Sequence, residues 1–457
     1  MLEKKVLVIA ILLVGASCSS NSHDQQYTAV EQHRAQQEAN AAPSAATPTP
    51  QPSVSPSPGA SPTAPAAASS GRNNWTTLRG AKRDGNYDEA PIKTSWPANG
   101  LPLLWKQPIG VGYASFAIAD GRAYTIEQRR QQEVAVAYDF ATGRELWKQA
   151  WNAEYTDSTG DGPRSTPTWD QGRLYVLGAT GEFRCLDANT GAVVWGKNIL
   201  TDNQAQNLPW AMAASPLIVD DKVIVLPGGT SGKSVVAYNK TTGAPVWRSQ
   251  NDAQAYVSPM LVELAGRRQV VVVSAARVMG LAPENGALLW SHPWSLDNGI
   301  NVAQPIVVDR NRFFISSGYG KGAALIELKG SGNSFTATTV WENLNMRNKF
   351  NSSVLHNGYI YGMDEQFLTC VDVNTGERKW KGGRYAYGQV LLASGYLIVS
   401  NGDTGEISLV KATPDQYSEV AKFAALEGKT WNYPAIADGK LLVRNATEMA
   451  SYDISAK

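Results

Sequence analysis

The sequence predicts an all-β fold, an eight-bladed β-propeller of four-stranded antiparallel blades, and three observations carry that expectation. A short motif recurs: "AYDFATGRELW" ends at Trp147, "CLDANTGAVVW" at Trp195, "AYNKTTGAPVW" at Trp247, "GLAPENGALLW" at Trp290 and "CVDVNTGERKW" at Trp380, always with glycine four residues before tryptophan. Trp105 in "LPLLW" lacks the turn and Trp341 follows a longer loop, but both keep the spacing, ~40–50 residues, that marks stacked strand-built repeats. Each motif is preceded by a second pattern, a short apolar strand, a tight turn and an alternating strand, as in "SPLIVDDKVIVLPG" and "YPAIADGKLLVRNA". Together the two patterns make four strands per unit. Finally, 41 glycines and 14 tryptophans against only 18% charged residues suit a chain with many tight turns and large buried rings.

Before the repeats, Lys4 and Lys5 precede an apolar run from Val6 to Val14, and Gly15-Ala16-Ser17 lead to Cys18. Charged, then apolar, then small is the order of a secretory signal, too short for a stable span. The expected organisation is a signal over residues 1–18 and a disordered Pro/Ala/Ser-rich tether over 19–73, with the propeller over 74–457. A plain secreted protein, with Cys18 inside a longer signal, is the alternative to lipidation at Cys18.

Within each unit, a strand ends at Asp or Asn, whose side chain can hold the backbone just ahead. Gly143, Gly191, Gly243, Gly286 and Gly376 supply the positive φ of the turn. The next strand carries the tryptophan, large enough to wedge between sheets. Trp105, Trp147, Trp195, Trp247, Trp290, Trp341 and Trp380 are therefore assigned to blade docking. The small row Ala137, Cys185, Ala237, Gly280 and Cys370 marks a crowded position. The last unit, ending "MASYDIS", lacks a fourth strand and "LPLLW" lacks the first three, so the N-terminal strand is expected to close the last blade.

Conventional catalytic signals are thin. The folded part has two isolated histidines, His292 and His356, and no CxxC or paired-His metal motif. Cys185 and Cys370 fall in opposed units, out of disulfide reach, and read as small buried fillers. "PGGTSGKS" at Pro227–Ser234 lacks the first glycine of a phosphate loop and reads as a hairpin loop. "DSTGDG" offers Asp157 and Asp161 as a weak calcium loop, but the closing position is Thr168 rather than glutamate. The formal net charge of +1, with no long basic run in the body, does not indicate a nucleic-acid partner.

The segment before each unit's first strand should ring the mouth of the central channel. One residue before the Pro position, all eight side chains are polar: Ser115, Thr166, Ser215, Ser258, Gln304, Ser352, Gln389 and Tyr433. Three before, the row reads Tyr113, Arg164, Ala213, Tyr256, Val302, Phe350, Tyr387 and Trp431. Tyr113, Arg164, Tyr256, Gln304, Phe350, Tyr387, Gln389, Trp431 and Tyr433 are the candidate binding residues. A funnel of aromatics and uncharged hydrogen-bonders suits an aromatic, sugar-like or peptide ligand. The competing reading is that the polar inner ends only satisfy strand termini and channel water.

The repeat resembles the tryptophan-docking motif of PQQ-like (quinoprotein alcohol dehydrogenase-like) eight-bladed propellers, from about residue 75 to 455. That resemblance implies the fold directly and two functional branches: quinoprotein dehydrogenases using PQQ and calcium, and the non-enzymatic propeller lipoprotein of outer-membrane β-barrel assembly. The adjacent Cys-Cys pair of quinoprotein alcohol dehydrogenases is missing, and the two mouth rows hold no carboxylate for a catalytic base. The expectation is therefore a non-enzymatic binding or scaffold lipoprotein of the bacterial envelope, monomeric, reaching the membrane through its lipid alone. Its partner would be an envelope protein or a small ligand. A PQQ- and calcium-dependent dehydrogenase and a glycan-binding propeller are the alternatives.

Overall fold

The computed structural model describes residues 75–456, together with Thr28, Glu31, Gln32 and Gln36. The signal, Cys18 and most of the tether lie outside the described residues. Eight antiparallel sheets follow one another along the chain. Blade 1 holds strands Ala117–Ala119, Arg122–Arg129, Gln132–Asp139 and Glu145–Asn152, and blade 2 begins at Thr168–Asp170. Blades 3 to 7 begin at Leu217–Val219, Met260–Leu264, Ile306–Val307, Val354–His356 and Val390–Ala393. Blade 8 has Ala435–Ala437, Lys440–Arg444 and Glu448–Asp453, and its outer strand is the N-terminal Leu103–Pro108, as expected. The ring is thus closed by antiparallel pairing between the two ends of the propeller. Among the described residues of the propeller, a short helix, Ile199–Asn203, leaves the outer strand of blade 2 and is capped by Asn198.

The clasp between blades has a clear geometry. The Trp147 indole N–H donates to the Ala188 carbonyl of blade 2 (3.0 Å), and Trp195 reaches Lys240 of blade 3 in the same way (3.0 Å). Trp105, Trp247, Trp341 and Trp380 make the corresponding bonds, to Phe140, Pro283, Val373 and Thr413. Five of these rings lie flat on a motif glycine: a Cβ on Gly191 would stand 2.6 Å from Trp147 Cε3. Glycine is needed there twice, for its φ of +75° and for the ring that covers it. The small row is the cross-strand partner of the tryptophans: Ala137 faces Trp147, Cys185 faces Trp195 and Cys370 faces Trp380. Cys185 and Cys370 are buried and unbridged.

Trp290 departs from this pattern. Its indole donates to Gln269 within blade 4 (2.5 Å), because blade 5 replaces the tight turn with the long hairpin Gly322–Ser331 and Ser334–Asn343. That hairpin folds back on blade 4, placing Phe335 and Leu328 in one apolar cluster with Trp290. All eight outer strands also slip register one residue before the tryptophan position. The slip is a β-bulge, which turns the tryptophan toward the next blade and leaves the extra residue outward. Leu104, Leu146, Val194, Val246 and Val340 are exposed for this reason.

The largest feature the sequence did not suggest is a plug in the channel. Residues 75–88 enter along the inner strands of blades 1 and 2, where Ile118 and Trp169 donate to the carbonyls of Trp75 (2.7 Å) and Thr76 (2.8 Å). They cross the axis and leave beside blade 7, where Asn86–Tyr87 pairs in parallel with Val390–Ala393. Two buried arginines pin the crossing. Arg79 donates to the carbonyls of Ser353 (2.7 Å), Ser352 (3.3 Å) and Val390 (3.4 Å), tying blade 6 to blade 7. Arg83 donates to Ser215 (3.1 Å), Pro259 (2.8 Å) and Pro216, tying blade 3 to blade 4. Burial pushes the Arg83 guanidinium down to about 9.

Candidate functional site

The two rows at the mouth separate into different roles. The polar row forms a girdle of side chain-to-backbone bonds running from blade to blade. Ser115 N–H donates to Thr166 (2.9 Å), Thr166 N–H to Ser215 (3.1 Å) and Ser215 N–H to Ser258 (2.8 Å). Ser258 N–H then donates to Gln304 (2.8 Å), and Gln304 N–H to Ser352 (3.0 Å). Gln389 spans two neighbours, donating to the carbonyls of Phe350 (3.2 Å) and Trp431 (2.8 Å). Tyr433 of blade 8 reaches past blade 7 to donate to Ser352 of blade 6 (2.8 Å), and Arg79 of the plug lies over its ring at 5.3 Å. Gln304 and Gln389 are thus held by bonds that satisfy backbone groups at strand ends, and Tyr433 is held by the Ser352 hydroxyl.

The other row faces the mouth. Tyr113, Arg164, Tyr256, Phe350 and Trp431 line a cavity of about 230 Å³, with Gln304, Ser352 and Tyr433 among its polar walls. Leu78 of the plug also lines it, as do Trp210, Ile300 and Tyr319, which stand outside both rows. Tyr387 stands behind that wall, edge-on to Phe350 (5.1 Å) and Trp431 (5.6 Å). Trp294 is fully buried between blades 4 and 5, donating to Ser317 (3.0 Å).

The aromatics do not stand apart as a funnel of free faces. Trp431 is stacked between Tyr113 (5.9 Å, 23°) and Phe350 (5.2 Å, 25°). The chain's own cations cover the rings: Lys429 lies 3.8 Å from the centre of Trp431, and Lys349 lies 4.8 Å from Tyr319 and 5.2 Å from Tyr387. Arg164 sits 4.6 Å from Tyr155 and 5.3 Å from Tyr113. Burial raises the Tyr113 hydroxyl to about 12 against the opposing charge of Arg164, so it stays protonated at neutral pH.

Asp157 shows what the acidic loop does. One oxygen accepts from Thr159 N–H (2.5 Å) and Gly160 N–H (3.1 Å), and the other is paired with Arg164. Burial alone would raise this carboxyl, but the Thr159 bonds and Arg164 hold it below its usual range. Asp161 accepts from Asp157 N–H (3.3 Å). The loop folds on itself around Arg164. Among the described residues, no three His, Cys, Asp or Glu side chains converge on one point. A calcium–quinone centre needs an acidic cage, a free base and an open tryptophan face. The residues here do not fit it, since Asp157 is committed to Arg164 and Trp431 is covered on both sides.

Fold and mouth together define a PQQ-like eight-bladed propeller with a plugged axis and an aromatic, cation-capped mouth. The profile of the family described as outer membrane protein assembly factor BamB matches residues 130–382, more than half of the chain, and the chain belongs to that family. It is 25% identical over 176 residues to outer membrane protein assembly factor BamB of Shewanella oneidensis, covering 35% of this chain and 41% of that protein. It is 26% identical over 194 residues to quinohemoprotein alcohol dehydrogenase ADH-IIG of Pseudomonas putida, covering 40% of this chain and 26% of the enzyme. The chain thus spans less than half the length of either curated relative. Two solved structures share the fold: BamB from Moraxella catarrhalis (TM-score 0.55, 18% identity, 78% of this chain and 100% of that one) and quinohemoprotein alcohol dehydrogenase from Comamonas testosteroni (TM-score 0.62, 14% identity, 84% and 81%).

Proposed function

We propose that this chain is a non-enzymatic binding propeller of the bacterial cell envelope, acting as a scaffold that presents its mouth and blade loops to a protein of the outer-membrane assembly machinery. The observation that carries this reading is the commitment of every candidate catalytic group at the mouth. Asp157 is neutralised by Arg164, Tyr113 is kept protonated, and Lys429 and Lys349 rest on aromatic rings. A general acid or base needs a group free to exchange its proton near neutrality, and this wall offers none. Family membership supports the partner class, because the matching profile is named for outer-membrane assembly. The signal and Cys18 support an envelope address, with a lipid at Cys18 as the membrane attachment.

The dehydrogenase relatives favour a second reading by repeat similarity alone, and the mouth chemistry opposes it. A glycan reading needs exposed aromatic faces for sugar stacking, whereas the Trp431 faces are filled by Phe350, Tyr113 and Lys429. The test is affinity isolation of the full-length protein from detergent-solubilised outer membranes, with a photo-crosslinker at Trp210 on the mouth or at Gly172 on the opposite rim. The expected result is an outer-membrane assembly component crosslinked from Trp210 and not from Gly172. Recovery of no such component from either position removes the proposed partner.

A further inference from the structure

We infer that the mouth cavity is a socket for one uncharged aromatic side chain of the partner protein, with the plug as its floor. This rests on the scaffold reading and adds what the mouth grips.

Size limits the guest to a single ring group. The cavity holds about 230 Å³. A dry cavity of ~150 Å³ accepts benzene, whereas sites for whole drug-sized ligands run to ~300–1,000 Å³. Leu78 of the plug lines the cavity, and residues 75–88 cross the axis behind it. The guest therefore enters from the mouth and stops on Leu78, and the body that carries it stays outside.

The lip marks where that body rests. Trp210 and Tyr319 are 37% and 38% exposed, the most exposed rings of the lining. Trp210 comes from the loop that joins blades 2 and 3 and leans on Tyr256 (6.2 Å). Tyr319 comes from blade 5 and leans edge-on to Phe350 (6.5 Å). Each continues a wall of the cavity outward, and aromatic rings left half in water beside an apolar cavity are what protein contacts use.

The wall offers nothing to a charge. Among the described residues that line it, Arg164 is the one cation, and it is paired with Asp157 and donates to the Gly160 carbonyl (2.9 Å). Lys349 and Lys429 cover rings of the mouth from outside the lining. Gln304 is engaged at both ends by Ser258, and Ser352 accepts from Gln304 N–H (3.0 Å) and the Tyr433 hydroxyl (2.8 Å). Burial raises the Tyr256 and Tyr319 hydroxyls, the latter to about 12, so both stay uncharged at neutral pH. A charged guest would lose its water here and meet no free counter-charge. An uncharged ring gains apolar burial, and against Tyr256, Phe350 and Trp431 it gains aromatic contacts that an aliphatic chain lacks. The covered faces of Trp431 do not prevent this, because rings also pack edge to face.

The experiment uses the full-length protein and fluorine NMR, which detects weak binding. The probe is a capped tripeptide, acetyl-Gly-(4-fluorophenylalanine)-Gly-amide. Unlabelled tripeptides of the same frame compete with it, carrying phenylalanine, 4-carboxyphenylalanine or 4-aminomethylphenylalanine at the centre. 4-Fluorobenzyl alcohol supplies the ring without a peptide. The expected result is binding of the probe, with the phenylalanine tripeptide competing about tenfold or more better than either charged analogue. Ala213→Trp, which fills the cavity from the loop before blade 3, should weaken the probe by a similar factor. Leu78→Trp fills it from the plug and serves if Ala213→Trp does not fold. Equal competition by a charged analogue, no binding of the probe, or binding unchanged in both filling variants overturns the inference. Binding of 4-fluorobenzyl alcohol without the peptide also overturns it and makes the guest a free small ring. Partner capture reports separately. A wild type that binds the probe but recovers no assembly component sinks the scaffold reading and leaves the socket standing. A filled variant that still recovers the component in full yield sinks the socket and leaves the scaffold reading standing.

Discussion

Gly191→Ala tests the clasp that builds the ring. Gly191 has φ +75°, and a Cβ there would stand 2.6 Å from Trp147 Cε3. Gly172 has nearly the same backbone, φ +77°, but a Cβ there meets nothing within 4 Å. Gly172→Ala therefore reports backbone strain alone, about 1–2 kcal/mol. Gly191→Ala adds the displacement of a docked ring, about 1–3 kcal/mol more, for a total of roughly 2–5 kcal/mol. Urea denaturation followed by far-ultraviolet circular dichroism measures both variants without relying on tryptophan fluorescence. In a Trp147→Leu background the excess cost of Gly191→Ala should vanish, giving a coupling of about 1–3 kcal/mol between positions in different blades. If Gly191→Ala costs no more than Gly172→Ala, or costs the same with and without the Trp147 ring, the clasp is not what the structure implies.

Three further outcomes follow from the same geometry. Burial raises the Glu133 carboxyl to about 7 despite hydrogen bonds from Ala179 N–H and the Trp151 indole. Its folded pKa exceeds its unfolded value, so stability present at low pH is lost as pH rises from about 4.5 to about 7, by about 3 kcal/mol. Melting curves of wild type should show this decline, and Glu133→Gln should flatten it. Arg83→Met strips donors from three carbonyls on blades 3 and 4 and should cost about 2–4 kcal/mol, with faster tryptic cleavage at Lys82 as the plug loosens. Gln304→Leu orphans both the N–H and the carbonyl of Ser258 and should cost about 1–3 kcal/mol in urea denaturation while leaving the far-ultraviolet spectrum unchanged.

Much of the fold was legible because its determinants repeat. The glycine-to-tryptophan spacing, the small row opposite the rings and the missing fourth strand at the C-terminus each recur or complement one another, so local chemistry reported the global ring. The bulge before each tryptophan was not legible, since an extra residue in a strand leaves no composition signal, only the run of outward Leu and Val residues before Trp. The plug was hidden for another reason. "WTTLRGAKRDGNY" has no apolar period, because its end rings Trp75 and Tyr87 enter the core while Arg79 and Arg83 between them bond to backbone carbonyls of four blades. A pair of arginines near a glycine, lacking nearby carboxylate runs, was the one available hint. The mouth was half legible. The structure gathers Tyr113, Arg164, Tyr256, Phe350 and Trp431 round one cavity, but sequence could not say that the polar row bonds from blade to blade or that Trp431 stacks on its neighbours. Both depend on the distance between blades that are far apart in the chain.

The functional account turns on whether the mouth performs redox chemistry or only binds. The direct measurement is reconstitution of the purified full-length protein with PQQ and calcium, followed by gel filtration and an assay of alcohols and aldoses with an artificial electron acceptor. The account predicts that no stoichiometric quinone is retained and that dye reduction does not saturate with any substrate. Stoichiometric retention, with saturable reduction that Arg164→Ala abolishes, would contradict it.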